Sequence, residues 1–366
     1  MISGDSKSKW SFPIPYFVDV GVSPLLIDSA LFIIQNKTCI KFKKYKVMLP
    51  HLAGLRYYYG NDCSSPVGQQ GKGIWQPISI GPNCDFIGKV IHETMHSLGF
   101  FHTQARHDRD LYLYFKKENI EKNFYKNFLK VHPVHSNTFG VSFDFGSVML
   151  YGMKMYSKNG KETMLSRDPL YKYTYGLSEK LSFCDVKMLN YYYCSDKCRI
   201  KIYCKNGGYQ DPNNCRVCKC VKGFIGRFCN KLSFPTNECG PSRLYATNKI
   251  KEFMTKGKKN CIYHILTSKQ KRIVIKVLSS NFYPNSGDIC YSLNSLEVKY
   301  WNDKAATGAR FCLYKTNFFI YSNNHHAMIL FRSNSERNHC HILYKSVPKY
   351  FDHIKLEKEF LNYKRN

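Results

Sequence analysis

Residues 92–102 read HETMHSLGFFH: His92 and His96 stand four apart, Glu93 lies between them, Gly99 follows and His102 closes the stretch. On a helix, positions i and i+4 lie one above the other, so His92 and His96 can grip a single metal ion. Glu93 is then placed where a general base takes a proton from metal-bound water. Gly99 permits a sharp turn, because only glycine enters the left-handed region without penalty. That turn brings His102 back as a third ligand and leaves the fourth position of the ion open for water. Three neutral imidazoles suit Zn²⁺, one ion per chain, and an open position marks a catalytic site rather than a closed structural one. The bland alternative, a surface helix that happens to carry histidines, is made rare by the glycine and third histidine.

The flanking sequence supports a helix here. Asp85 reads as its N-cap, and Ile87, Ile91, Met95 and Leu98 form an apolar face, with His92 and His96 on the opposite side. Upstream, residues 15–20 alternate like a strand, and Ser23-Pro24 opens a helix through LLIDSALFII that ends near Asn36. Strand-like runs follow at 40–49 and 55–59. Residues 74–80 read as an edge strand, since Pro77 cannot donate a ladder hydrogen bond. An edge beside the histidine helix is a natural place for an extended peptide to add as a strand. Downstream, residues 118–128 read as helical. FDFGSVMLY, residues 143–151, contains Met149 and Tyr151, each of which by itself reads as packing.

The chain has 366 residues, enough for two or three domains, and 16 cysteines crowded most densely between Cys194 and Cys229. That density points to an oxidising compartment and a disulfide framework, with a zinc ribbon as the rival reading of the CxxCxC cluster. The net charge is +29, which attracts anionic partners at long range. The lysines are spread through every segment without a basic block, so a solvated basic surface is the preferred reading. No nucleic-acid partner is expected. No stretch reaches the ~18 apolar residues of a membrane span. The N-terminal MISGDSKSKW lacks the apolar run of a signal peptide, which is not a mark of a cytosolic protein. Asn36-Lys37-Thr38 is the single N-x-S/T sequon, so Asn36 is the glycosylation candidate.

HETMHSLGFFH, the RHDRD that follows it and SVMLY together resemble the astacin family of zinc metalloproteases, within the metzincins, over about residues 9–194. The resemblance implies an α+β catalytic domain, a twisted, mostly parallel sheet with an active-site helix. It implies that His92, His96 and His102 bind zinc, that Glu93 is the general base and acid, and that Met149 forms the floor beneath the metal. Tyr151 would be the switch tyrosine that stabilises the oxyanion. It also implies disulfides Cys39–Cys194 and Cys63–Cys84. The chain departs from the family in several places. Thr103 stands where a glutamate commonly bonds the freed N-terminus, and Leu150 replaces the usual histidine. Ser178 falls near the position of a specificity arginine, and Cys184 is additional.

Residues 195–230 resemble an EGF-like module, which implies Cys198–Cys215, Cys204–Cys218 and Cys220–Cys229. Residues 239–348 alternate as strands and resemble a CUB domain, an all-β sandwich, which implies Cys239–Cys261 and Cys290–Cys312. Cys184 and Cys340 are left over. Residues 349–366 read as a mobile charged tail. The resemblance thus implies a secreted zinc metalloendopeptidase acting on protein or peptide substrates, with extracellular matrix or cuticle proteins among the candidates. The competing reading is a catalytically silent extracellular binding protein that works through its EGF-like and CUB-like modules.

Overall fold

The computed structural model describes residues 1–284, 287 and 289–363. The chain divides into two compact units, Met1–Asp168 with Tyr175–Lys219, and Pro169–Thr174 with Cys220–Asn366.

The first unit is built on a five-stranded sheet. Its strands are β1 (Ile14–Val18), β2 (Phe42–Lys44), β3 (Gly54–Tyr58), β4 (Cys63–Ser64) and β5 (Trp75–Ile80), in the order β2-β1-β3-β5-β4. All pairings are parallel except β4 with β5. Parallel neighbours need crossover connections, and helix α1 (Pro24–Lys37) makes the first of these, between β1 and β2. Ser23 accepts from the Leu26 N–H and Pro24 opens the helix, because the missing proline N–H costs nothing in the first turn. Ile27, Ala30, Leu31 and Ile34 form its buried stripe, each large side chain contributing about 1.5–3 kcal/mol of burial. The stripe packs beside the second helix, α2 (Ile87–Ser97). Asn36 is exposed in the last turn of α1, while Thr38, the third residue of its sequon, caps that end and is buried.

Three local expectations are corrected. Strand β5 is not itself the sheet edge: the two-residue β4 pairs with Ser79 and Ile80, leaving only its Trp75–Ile78 side without a partner strand among the described residues. The N-cap of α2 is Phe86 rather than Asp85, with no side-chain cap, because the chain stays extended through Phe86 (φ −136°, ψ 152°). Residues 117–119 and 122–128 form 3₁₀ turns, not an α-helix. Tyr125 Oη takes the Lys117 carbonyl and the Arg109 guanidinium takes the Phe128 carbonyl, groups that an α-helical ladder would otherwise use.

Helix α3 (Phe183–Tyr193) opens with a capping box in which Ser182 Oγ accepts from the Asp185 N–H and Asp185 accepts from the Ser182 N–H. Seven disulfides are present, Cys39–Cys194, Cys63–Cys84, Cys198–Cys215, Cys204–Cys218, Cys220–Cys229, Cys239–Cys261 and Cys290–Cys312. Cys184 and Cys340 are buried outside these bridges. The Cys39–Cys194 bridge spans 155 residues, and by chain entropy a closure of that length stabilises most.

The second unit carries two sheets. One orders β6 (Arg243–Tyr245), β8 (Asn260–Leu266), β13 (His326–Arg332), β10 (Ser295–Lys299) and β11 (Ala309–Phe311) side by side. The other orders β7 (Lys251–Lys256), β14 (His339–Pro348), β9 (Lys271–Asn281) and β12 (Lys315–Tyr321). Tyr263 of the first sheet meets Phe253 and Thr255 of the second, with ring centroids 4.6 Å apart and a hydroxyl pair at 3.2 Å.

The expected mobile tail is also corrected. His353–Leu361 forms helix α4, capped by Asp352, and buries Leu356 and Phe360 against Val274, Leu343 and Val347. The tail's charges hid an i, i+4 apolar pair that covers the four-stranded sheet. Its last three residues, 364–366, lie outside the described ones.

Candidate metal centre

Helix α2 is buried on nearly every side; among its residues Lys89 is half-buried and Ile87 exposed. Ile91, Met95 and the following Leu98 are fully buried, and Tyr57 Oη of β3 pairs with Thr94 Oγ1 at 2.9 Å. The helix ends in a Schellman turn: the Phe100 N–H bonds the Met95 carbonyl and the Gly99 N–H bonds the His96 carbonyl. Gly99 has φ +99°, a conformation that a side chain would strain. The reversal carries His102 back over the helix.

The three imidazoles converge. His102 Nε2 lies 3.3 Å from His92 Nε2 and 3.1 Å from His96 Nε2. The opposite ring nitrogens are committed: His92 Nδ1 donates to the Val148 carbonyl at 2.8 Å and His96 Nδ1 to the Phe100 carbonyl at 2.7 Å. A carbonyl only accepts, so each of these nitrogens carries the proton and leaves an Nε2 lone pair facing the common point. Burial, and for His92 and His102 the neighbouring imidazoles and Lys89 as well, hold His92 and His102 well below the usual histidine range and His96 at about 4. Neutral imidazole is the metal-binding form. Bonds of ~2.05 Å to a tetrahedral zinc place ligand nitrogens roughly 3.3 Å apart, and the observed spacings match. The residues therefore fit a zinc ion. The other cluster of ligand type among the described residues, Glu238 with Cys239 and Cys261, has its two sulfurs joined to each other and offers no thiolate.

Glu93 is buried beside the three histidines, and desolvation first pushes its carboxyl up to about 8, with Asp62 adding to the rise and Lys89 opposing it. A divalent cation at the Nε2 atoms acts in the other direction and favours the carboxylate. The Tyr151 ring lies tilted, 4.2 Å from the His102 ring, and edge-on to Tyr156 at 5.6 Å. Burial, then Tyr156 and Glu93, push its phenol far up, which favours the protonated form that can donate a hydrogen bond. Met149 is fully buried in the turn that presents the Val148 carbonyl to His92. His92, Glu93, His96, His102 and Tyr151 line a cleft of about 430 Å³, together with Asp62, Ser64, Lys89 and Lys126. The β4 edge at Cys63–Ser64 borders it.

Three positioning groups escaped the sequence reading. The Val148 carbonyl is backbone and carries no residue-type signal. Asp185 sits three residues after Ser182, a spacing that does announce a capping box, yet its second role is tertiary: Oδ1 accepts from Ser147 Oγ at 2.6 Å and Oδ2 from the Val148 N–H at 3.0 Å. Thr103 Oγ1 donates to Ser147 Oγ at 3.0 Å, so the residue that departs from the family pattern extends the same network. Beside it, the Ser3 N–H bonds the Gly99 carbonyl and the Phe101 N–H bonds the Met1 carbonyl, with Met1 and Ile2 buried.

The family model described as astacin, a peptidase family, matches residues 3–194. The zinc metalloproteinase nas-34 of Caenorhabditis elegans is 34% identical over 310 residues, covering 84% of this chain and 51% of that protein. The zinc metalloproteinase nas-36 of Brugia malayi is 36% identical over 357 residues, covering 90% of this chain and 58% of that protein. The chain thus spans about half the length of the curated relatives it matches. Among solved structures, the hatching-enzyme zinc-protease high choriolytic enzyme 1 from Oryzias latipes is similar at 28% identity, covering 51% of this chain and 92% of that one, with a TM-score of 0.45.

Proposed function

The chain belongs to the astacin family of peptidases, and from that premise we propose that it is a secreted zinc metalloendopeptidase that hydrolyses internal peptide bonds of proteins. The observation that carries the proposal is the convergence of three Nε2 lone pairs, 3.1 and 3.3 Å apart, beside a buried carboxyl and a buried phenol. When bound there, zinc supplies Lewis-acid polarisation of a carbonyl and lowers the pKa of water.

This chain's own residues do the rest. An extended substrate adds along the outer edge of β4, its backbone hydrogen bonds setting register and leaving alternate side chains to face the cleft. Glu93 takes the proton of the attacking water and returns it to the leaving amine. Tyr151 Oη donates to the oxygen on which negative charge develops, an interaction stronger in the transition state than in the ground state. Seven disulfides favour an extracellular setting, and no described helix is long and apolar enough to cross a membrane. The EGF-like (195–230) and CUB-like (239–348) modules contribute substrate or matrix contacts, and Asn36 carries a glycan. The silent-binder reading lacks a supporting observation, since His92, His96, His102, Glu93 and Tyr151 stand together in one cleft.

The test is cleavage of an unfolded protein substrate by the zinc-loaded chain. A chelator should abolish it and added zinc restore it. Absence of cleavage by a folded, zinc-loaded chain overturns the proposal.

A further inference from the structure

Away from the zinc cleft, the first unit carries a second concavity, of about 530 Å³, between helix α3 and the extended segment that follows it. One wall is Lys187 and Tyr191 of α3; the other is Lys201 and Tyr203, with Asn206 and Gln210 between them. Among the described residues, no aspartate or glutamate lines it. The nearby Asp211 carboxylate is buried and paired with Lys219 Nζ at 2.9 Å. Although lysines are spread along the whole sequence, the segment KCRIKIYCK places Lys197, Arg199, Lys201 and Lys205 on one short stretch.

That stretch is held in place. Bridges Cys198–Cys215 and Cys204–Cys218 fix both its ends, and Gln210 Nε2 donates to the Ile200 carbonyl at 2.8 Å. Both ammonium groups that face the concavity are anchored as well: Lys187 Nζ donates to the Gly207 carbonyl at 2.9 Å and Lys201 Nζ to the Ser195 carbonyl at 2.6 Å. An ammonium has three donors, so each amine is oriented by one bond and offers two more. Tyr203 is 76% exposed, and Lys205 lies 4.7 Å from its ring centroid.

We propose that this concavity binds a sulfated oligosaccharide. Two pre-oriented amines with no lining carboxylate suit permanently ionised sulfate groups. The Gln210 amide commits its two N–H donors to the Ile200 and Cys215 carbonyls, so its Oε1 suits a sugar hydroxyl as an acceptor. The exposed Tyr203 ring suits the C–H face of a pyranose ring, as amphipathic aromatics do at other half-wet surfaces. The volume falls in the range of small-ligand sites. The net charge of +29 raises the rate of encounter with a polyanion, while the concavity selects how it seats. The proposal is independent of the peptidase reading.

The test is fluorescence anisotropy of the full chain with a labelled heparin oligosaccharide at ~150 mM salt, where long-range attraction is largely screened. Comparison probes are its desulfated counterpart and a polyglutamate of equal charge. Lys187→Gln/Lys201→Gln should raise Kd by about tenfold and Tyr203→Ala by about threefold or more. Tyr203 is exposed, so its variant keeps the fold. An equally charged pair that does not line the concavity, Lys256→Gln/Lys258→Gln of the second unit, should change Kd by less than about twofold. The proposal is overturned if the second-unit pair weakens binding as much as the cleft pair, or if Tyr203→Ala binds like the parent. Equal binding of the desulfated sugar or of polyglutamate overturns it too.

Discussion

Asp185 Oδ2 accepts the Val148 N–H at 3.0 Å, and the carbonyl of that same Val148 accepts from His92 Nδ1 at 2.8 Å. One carboxylate at the start of α3 therefore holds in place the residue whose carbonyl selects the tautomer of His92. Burial, then Asp144, raise the Asp185 carboxyl, and the bonds from Ser147, Val148 and Ser182 oppose that rise. Asp185→Asn keeps the shape but turns one acceptor into a donor facing a donor, which costs about 1–3 kcal/mol. Zinc affinity should fall about 10–100-fold. Competition with a chromogenic chelator reads this directly, and parent-like affinity would show that His92 needs no such support.

Tyr151→Phe removes only the hydroxyl. The ring stays buried against His102 and Tyr156, so zinc content and fold should be retained. If the phenol donates to the developing oxyanion, kcat falls by about 10²–10³ with little change in KM. A variant with parent-like kcat would leave Tyr151 with a packing role alone.

The second unit carries a pH-sensitive element of its own. His264 Nδ1 and His326 Nε2 lie 3.0 Å apart, both rings buried and close to Phe224. Burial first pushes them down to about 4 and about 3; Arg243 adds to the effect on His264, and Lys304, His264 and His325 add to that on His326. The unfolded chain, with histidines near 6.5, therefore binds more protons than the folded one between that value and about 3–4. Stability from the pair is complete above about pH 6.5 and is lost as pH falls through the window, by at most about 1.4 kcal/mol per pH unit per histidine. Chemical denaturation at pH 7 and pH 5 should show the loss, and His326→Gln should flatten it. An equal pH slope in the parent and the variant would contradict the assignment.

Much of the site was legible in the sequence because its chemistry is local: two histidines at helical spacing, a glutamate between them and a glycine at the turn need no tertiary information. What the sequence concealed was tertiary. The Val148 carbonyl has no side-chain signature, and the second role of Asp185 depends on α3 lying beside residues 147–148. The 3₁₀ turns at 117–119 and 122–128 accompany competition for carbonyls by the side chains of Tyr125 and Arg109, which periodicity does not see. The tail's charged character concealed its helix because lysines and glutamates are interleaved with its apolar residues, while only Leu356 and Phe360 need burial for α4 to dock.

That docking gives its own prediction. Phe360 is 2% exposed and meets the Phe319 ring at 5.5 Å, so Phe360→Ala should destabilise the second unit by about 3–5 kcal/mol. A mobile tail would give no change in its thermal transition.

The most direct measurement compares the zinc-loaded parent with Glu93→Ala on an unfolded protein substrate, with zinc content measured in both. Glu93 is not one of the three converging histidines proposed to bind the metal, so both proteins should hold one zinc per chain. The parent should cleave and the variant should lose at least about 10²-fold in kcat. Equal cleavage by both proteins, or none by a folded and zinc-loaded parent, would contradict the account.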